Sequence, residues 1–375
     1  KRKIDICEDA PSRSVLFSFK EEQYLAFKTY KQKDEVDVTK EYLPVEIYSI
    51  EHGYSKTDKV VVFDLDVLAY RCSAACESSY LFTNEHGDEF QVKSKKAFKE
   101  YCLENNLEYE SFTSQPKQVA DPISYCLKTV NDSIKKVMEF VGANKCEFYL
   151  GGSNNFRLKV PTPIEYKSSR TPVSKPLLLN DVREYLIKHK GAKKVTTQET
   201  DDVVAHRMRT LYKQGIRATL YSCDKDALGN VDHKLQMYDP IKEDIIVSEG
   251  GVGNIEIVKG KLKGKGLKFL IYQLCQGDPV DSYTPKPFFN KKYGDSGYYK
   301  DFNECKTEVE VLEKFVEVAR RLVPDSVSYT SFTGQLMELN RKELFEMYFT
   351  LCKMKDGFCE TLEELFCFYG LDIDS

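Results

Sequence analysis

The chain has 375 residues, of which 41% are hydrophobic and 30% charged; that is enough to bury one large α/β core with a smaller lobe, and it argues against disorder as the main state. Apolar runs as long as a membrane span, about eighteen residues, are absent, and Lys1-Arg2-Lys3 followed by Asp5, Glu8 and Asp9 does not resemble an apolar signal core. A soluble, unsecreted protein is expected. The net charge of −4 does not by itself announce a nucleic-acid partner, since phosphate binding is driven by Lys and Arg, but distribution outweighs the sum. Acids gather at strand ends and between residues 338 and 374, whereas Lys259, Lys261, Lys263, Lys265 and Lys268 run without an acid among them. The 12 cysteines are scattered and form no C-x-x-C pair, so reduced, mostly buried thiols are expected.

Residues 1–58 are polar and mixed, with one strand-like piece at 41–48, and read as an N-terminal extension of unknown role. At Lys59 the pattern changes. Val60-Val61-Val62-Phe63 is a continuous apolar run of the kind that fills the middle of a parallel sheet, and it ends in Asp64-Leu65-Asp66. The same form recurs at 146–150, followed by Gly151-Gly152, and at 218–222, followed by Asp224-Lys225-Asp226. Helical periodicity marks 119–141, 175–189 and 202–214, the last with Val203, Val204, Arg207, Met208 and Leu211 near one face. Strand and helix alternate, so 59–258 reads as an α/β core with a mostly parallel central sheet flanked by helices. Residues 239–258 read as paired strands around Glu249-Gly250-Gly251-Val252-Gly253. The basic stretch 260–266 then opens a helix, and 259–375 reads as a C-terminal helical lobe with amphipathic helices at 307–322 and 340–353.

In a parallel α/β sheet the carboxyl ends of the strands form the rim where ligands bind. Asp64 with Asp66, Glu199 with Asp201 and Asp202, Asp224 with Asp226, and Asp278 with Asp281 all fall at or after such ends. Any one group has an ordinary structural role open to it: Asp201-Asp202 at a helix start complements the helix dipole, and Asp224 suits a turn. Asp66 has the weakest case, because period-two alternation points it away from Asp64. Taken together, carboxylates within about 4–6 Å raise one another's pKa and are kept only where cations neutralise them. Hard divalent ions are the natural partners of such oxygens, and a pair of them hydrolyses phosphodiesters without a protein nucleophile.

These residues resemble the flap endonucleases and phage 5′-exonucleases, a PIN-like 5′-nuclease family, over roughly residues 59–300. Glu199-Thr200-Asp201-Asp202 is similar to E-x-D-D, Ser222-Cys223-Asp224-Lys225-Asp226 to S-x-D-K-D, and Gly277-Asp278-Pro279-Val280-Asp281 to G-D-x-x-D. Phe63-Asp64 supplies the strand-end aspartate, Tyr166-Lys167-Ser168-Ser169-Arg170 matches Y-K-x-x-R, and Asn155-Phe156-Arg157 is similar to the phage branch. The resemblance implies that Asp64, Glu199, Asp201, Asp202, Asp224, Asp226, Asp278 and Asp281 hold about two or three Mg²⁺ or Mn²⁺ ions, with Lys167 on the scissile phosphate and Arg170 gripping the strand. It implies DNA with a 5′ end or flap as partner, RNA–DNA hybrid among the candidates, and no membrane. Arg157, Tyr166, Lys167, Arg170, Lys261, Lys263, Lys265, Lys291 and Lys292 are the expected nucleic-acid contacts. The cytoplasm is the expected compartment, that of the bacterial host if the chain is phage-encoded.

Two departures from the family pattern bear on function. The family's further aspartate after the second core strand is replaced here by Gly151 or Gly152, so one ion is expected to bind more weakly, with Mn²⁺ preferred. Gly152→Asp is expected to lower the Mg²⁺ requirement unless a positive φ forbids a side chain. The family's duplex-binding helix-turn-helix, with its bound K⁺, corresponds to 283–297, which is longer and richer in Pro and Lys. Two rival classes remain. Asp64-Leu65-Asp66-Val67-Leu68 also resembles the D-x-D-x-[TV]-L of haloacid-dehalogenase-type phosphatases, with Asp64 as nucleophile and Asp66 as general acid, and a non-catalytic DNA-structure binder would retain the fold without the chemistry.

Overall fold

The computed structural model describes residues 3–6, 53–152, 155–169, 174–196 and 198–373; the expected strand at 41–48 and most of the N-terminal extension lie outside them. Strand β1 (Lys3–Ile6) is followed by β2 (Lys59–Asp64), whose Val60–Phe63 run is wholly buried, as a strand covered on both faces must be. Helix α1 (Leu65–Ala75) starts on the next residue. Strands β3 (Glu77–Thr83) and β4 (Glu89–Val92), helix α2 (Lys95–Glu104) and strand β5 (Thr113–Ala120) precede α3 (Ile123–Val141) and β6 (Lys145–Leu150). Then come α4 (Leu179–Lys190), β7 (Lys193–Lys194), α5 (Thr200–Lys213), β8 (Arg217–Tyr221), β9 (Leu235–Asp239), β10 (Asp244–Ser248), β11 (Asn254–Val258) and β12 (Lys261–Lys265). The remainder is α6 (Gly266–Gln276), α7 (Asp295–Phe302), α8 (Glu308–Leu322), β13 (Ser326–Thr330), β14 (Leu336–Asn340), α9 (Arg341–Cys352) and α10 (Leu362–Phe368).

The chain divides into two compact units. The first takes in 67–137 and 174–191 and contains a four-stranded sheet in the order β1-β4-β3-β5. Its core is aromatic: Phe82 stacks on Phe98 with centroids 3.9 Å apart, and Phe90, Val92 and Cys102 complete the cluster. The sequence pattern predicts no strand here. Strand β5, Thr-Ser-Gln-Pro-Lys-Gln-Val-Ala, is largely exposed and carries a proline, which is tolerated only at a sheet edge and gives no alternation to read.

The second unit, 45–66, 138–173 and 192–375, holds a six-stranded sheet in the order β10-β9-β8-β2-β6-β7. It is parallel except at the β9/β10 edge, as expected from the strand–helix alternation. Helix α5 packs on β2, β6 and β8 through Val204, Met208 and Leu211, which meet Val60, Val62 and Leu220. Arg207 on the same helix forks onto the buried Glu147 of β6 at 2.7–3.0 Å, a bidentate pair that fixes the helix's rotation. Beyond the sheet, Leu267, Ile271 and Leu274 of α6 share one core with Phe315 of α8, Phe345 of α9 and Phe366 of α10.

Three local expectations change. The strands in 239–258 exist, but the glycine-rich stretch does not pair them: β10 pairs β9, and β11 pairs β12. Residues 261–265 are strand rather than helix, and the helix waits until Gly266. The boundary placed at 258 consequently falls in the tight turn of the β11–β12 hairpin, where Lys259 and Gly260 adopt left-handed φ of 51° and 77°, and β13–β14 adds a second hairpin to a lobe expected to be helical. The cysteines of the described residues are free thiols, mostly buried, with Cys223 and Cys367 exposed. No described helix is long and apolar enough to cross a membrane.

Candidate metal centre

The carboxyl end of β2 delivers Asp64, a buried acid whose Oδ1 accepts the N–H of Asp66 at 3.1 Å and so caps α1. One strand over, β8 ends at Tyr221, and the chain turns into a short 3₁₀ segment, Lys225–Gly229, capped by Asp224, whose Oδ1 accepts the N–H of Asp226 at 2.9 Å. Glu199 is the N-cap of α5, with Asp201 and Asp202 in its first turn. After α6, Gly277 turns with φ of 73°, its missing Cβ leaving room for the Tyr283 carbonyl; Asp278 and Tyr283 then close a loop by exchanging backbone hydrogen bonds. That loop presents Asp278 and Asp281.

The electrostatics show which acids converge. Burial, together with Asp224, Asp64 and Glu199, pushes Asp201 well above the usual carboxylate range. Burial and Asp224, then Asp278 and Asp281, do the same for Asp226, and burial and Asp281 raise Asp224. Asp201, Asp224 and Asp226 are therefore the acids whose carboxyls feel negative neighbours, which are one another and Asp64, Glu199, Asp278 and Asp281. Two lysines face it. Lys225, which has no role in the sequence-based expectations although it stands between Asp224 and Asp226, pairs with Asp278 at 3.3 Å. Lys167 pairs closely with Glu199 and stands 3.8 Å from Asp281. Its backbone is left-handed, with φ of 63°, a conformation that a lysine keeps only when its surroundings impose it. Here its N–H donates to the Asp281 carbonyl at 2.8 Å.

Several sequence-predicted residues have other duties. Asp202 is fully buried: Arg157 forks onto both its oxygens at 2.6 and 2.8 Å and also reaches Glu199 at 3.3 Å, and the N–H groups of Lys355 and Glu199 donate to Asp202 at 2.8 and 3.2 Å. This buried clasp is a structural duty that the sequence reading did not assign to it. Arg157 is no nucleic-acid contact, since it is 3% exposed and also donates to the carbonyls of Leu351 and Lys353 at 3.2 and 2.9 Å. Tyr166, expected on the nucleic acid, is buried, and its hydroxyl donates to Asp281 at 2.8 Å and Glu199 at 3.2 Å. Burial, Glu199 and Asp281 hold that phenol far above its usual range, so it stays a neutral donor. Arg170 lies outside the described residues. Lys261, Lys263, Lys291 and Lys292 are exposed, whereas Lys265 donates to the Val247 carbonyl at 2.7 Å.

The end of β6 resolves the missing aspartate. Asp66 Oδ2 accepts from the Gly151 N–H at 2.7 Å and Thr200 Oγ1 at 2.9 Å, filling the space a side chain at 151 would need. At Gly152 the φ is not positive, but a Cβ would stand 2.2 Å from the Val195 carbonyl oxygen; the constraint is a close backbone approach. One further group, Asp232, His233 and Asp356, brings ligand atoms within 4.8 Å of one another, and no sequence motif marks it. Arg209 pairs with Asp232 at 2.7 Å and Lys353 with Asp356 at 2.6 Å, so its charge is already balanced. The rim acids are all-oxygen donors of the kind hard divalent cations take, with Arg157 3.3 Å from Glu199 beside the two lysines, but among the described residues they do not bring three ligand atoms within 4.8 Å of one another as Asp232, His233 and Asp356 do.

The chain is similar in structure to bacteriophage T5 5′-exonuclease. The T5 D15 protein crystallised with metal ions aligns over 83% of this chain and 97% of its own, at 12% identity and a TM-score of 0.41. The T5 D15 flap endonuclease in a pseudo-enzyme–product complex with DNA and metal ions aligns over 84% and 94%, at 14% identity and a TM-score of 0.42. T5 5′-exonuclease with bound zinc aligns over 83% and 97%, at 14% identity and a TM-score of 0.42. No family model and no curated protein matches the chain.

Proposed function

We propose that this chain is a divalent-metal-dependent 5′-nuclease that hydrolyses phosphodiesters near the 5′ end of duplex or flapped DNA, RNA primers among its substrates, in phage-type replication or repair in the bacterial cytoplasm. The observation that supports it best is the convergence of acids from β2, the α5 N-terminus, the turn after β8 and the 278–281 loop around Lys167. Asp64, Asp201, Asp224, Asp226, Asp278 and Asp281 would hold Mg²⁺ or Mn²⁺, with Glu199 beside them; when bound, such ions polarise the phosphate and lower the pKa of a water. Lys167 supplies a compact positive charge for a phosphate whose negative charge must be met in the transition state. Tyr166 bridges Glu199 and Asp281 through its hydroxyl, and Lys261, Lys263, Lys291 and Lys292 are the exposed cations available to the duplex. A K⁺ ion at 283–297 belongs to the same proposal.

The phosphatase alternative needs Asp66 to carry a proton as general acid. Asp66 Oδ2 is instead engaged by the Gly151 N–H and the Thr200 hydroxyl, a structural tie between the ends of β2 and β6. The test is cleavage of 5′- and 3′-labelled duplexes, flaps and primers in Mg²⁺ against EDTA. Release from the 5′ end that vanishes in EDTA, and falls by several powers of ten in Asp224→Asn and Glu199→Gln, is the expected result; activity persisting in EDTA, or near wild-type turnover in both variants, would refute it. Trapping during a single turnover separates the classes, since a metal–water route passes through no aspartyl-phosphate at Asp64, whereas the phosphatase route does.

A further inference from the structure

Helix α6 runs Gly-Leu-Lys-Phe-Leu-Ile-Tyr-Gln-Leu-Cys-Gln, and within it Leu267, Phe269, Leu270, Ile271, Leu274 and Cys275 form part of the large lobe core. Gln273 sits in the middle of this apolar stretch and is itself buried, at 3% exposure. Its amide nitrogen donates to Asp226 Oδ1 at 2.6 Å. Its amide oxygen is buried without a hydrogen-bond partner. A buried carbonyl left unpaired is a cost that a methionine or leucine of similar size would not incur. The sequence tolerates that cost at a position whose other end reaches one of the rim acids.

The contact is also geometrically selective. Asp226 has its N–H committed to Asp224 Oδ1 at 2.9 Å, so the backbone fixes where the side chain begins, and Gln273 fixes how the carboxylate is turned. An amide N–H on one oxygen leaves the other as the one able to accept a cation, which is how neighbours beyond a metal's immediate ligands orient the ligands themselves. Lys225, the adjacent cation, is taken by Asp278.

We propose that Gln273 is a positioning residue of the metal centre, setting the orientation of Asp226 from the floor of the helical lobe so that it is ready to receive a divalent ion. The inference rests on the metal-nuclease reading above and adds to it the residue that organises one of its ligands. The expected sign is opposite to that of an ordinary structural role. Gln273→Met removes the donor and the orphaned carbonyl together, so the fold keeps or gains stability while the ion is held less well.

The experiment is Mn²⁺ binding to the full chain without DNA, by calorimetry and by the electron paramagnetic resonance signal of free Mn²⁺, with thermal unfolding in EDTA alongside. Gln273→Met and Gln273→Leu are each expected to weaken binding at one site by about 10- to 100-fold, with a melting temperature in EDTA no lower than that of the parent. In an Asp226→Asn background the same substitutions should change nothing further, because the effect passes through Asp226. Parent-like Mn²⁺ affinity in either folded variant overturns the proposal, as does a loss of affinity that persists at full size in the Asp226→Asn background. A parent chain that binds no Mn²⁺ at all fells the metal reading itself and this inference with it, an outcome distinct from the other two.

Discussion

Removing the charge of Arg157 tests a buried clasp between the start of α5 and the carbonyls near residue 351. Read from its neighbours Asn155 and Phe156, Arg157 is a strand-gripping cation; in the structure it is a buried clasp with a bidentate bond to Asp202 and further bonds to the Leu351 and Lys353 carbonyls. Arg157→Met keeps most of the apolar stem and deletes the charge, leaving a fully buried carboxylate facing two backbone N–H groups and two carbonyls without their donor. Removing one partner of a buried pair costs about 3–5 kcal/mol, and each orphaned carbonyl adds to it. At roughly 2–4 °C per kcal/mol for a unit of this size, the melting temperature should fall by at least about 6 °C. The assay is urea unfolding followed by circular dichroism, in which the midpoint should shift with little change in slope. Arg157→Met/Asp202→Leu should recover much of the loss, since replacing both members of a buried pair by apolar groups is often close to neutral. A single variant within about 1 kcal/mol of the parent, combined with weakened DNA binding, would refute the clasp and restore the contact role.

Three further outcomes follow from the site. Lys167→Met should lower single-turnover cleavage by about 10²–10³-fold while leaving Mn²⁺ binding intact; unchanged cleavage would remove Lys167 from the phosphate. Asp201 and Asp226 have carboxyls raised above 3.8, so their protonated forms favour the folded state. That contribution is complete below the unfolded value and lost as pH rises through the raised ones. In EDTA the melting temperature should therefore decline as the pH rises above the ordinary carboxylate range, and Mg²⁺ should restore more at the higher pH; an EDTA profile that rises over that range would contradict the crowding of the rim. Gly152→Asp should destabilise the fold without lowering the Mg²⁺ midpoint, because its Cβ meets the Val195 carbonyl, and a stably folded variant with a lower midpoint would place residue 152 in the metal shell after all.

The parallel sheet was legible because β2, β6 and β8 are short apolar runs with turn residues at their ends, a pattern that surface helices and loops rarely carry. The rim acids could be grouped from the same strand ends. What could not be read was direction. Asp201 and Asp202 are adjacent on a helix, so their side chains lie about 100° apart; one meets Asp64 and Asp224 and the other meets Arg157, and only packing decides which. Tyr166 and Arg157 looked like surface residues because their partners, Asp281 and the carbonyls near 351, are remote in sequence. The strands at 77–120 escaped for a different reason: their burial is concentrated on one aromatic cluster, and β5 has almost none.

The Arg157 clasp also orders events in time. Its bond to the Lys353 carbonyl spans 196 residues of chain, and the bond of Tyr166 to Asp281 spans 115. Contacts of such separation form late, after local helices and adjacent strands have been made. During synthesis the strand-end aspartates therefore emerge before residue 281, which holds the Tyr166–Lys167 turn, and well before residues 351 and 353, which hold Arg157 on Asp202. A ribosome-bound chain stopped short of residue 351 has its acids but lacks the carbonyls that fasten Arg157, and through it Asp202, in place.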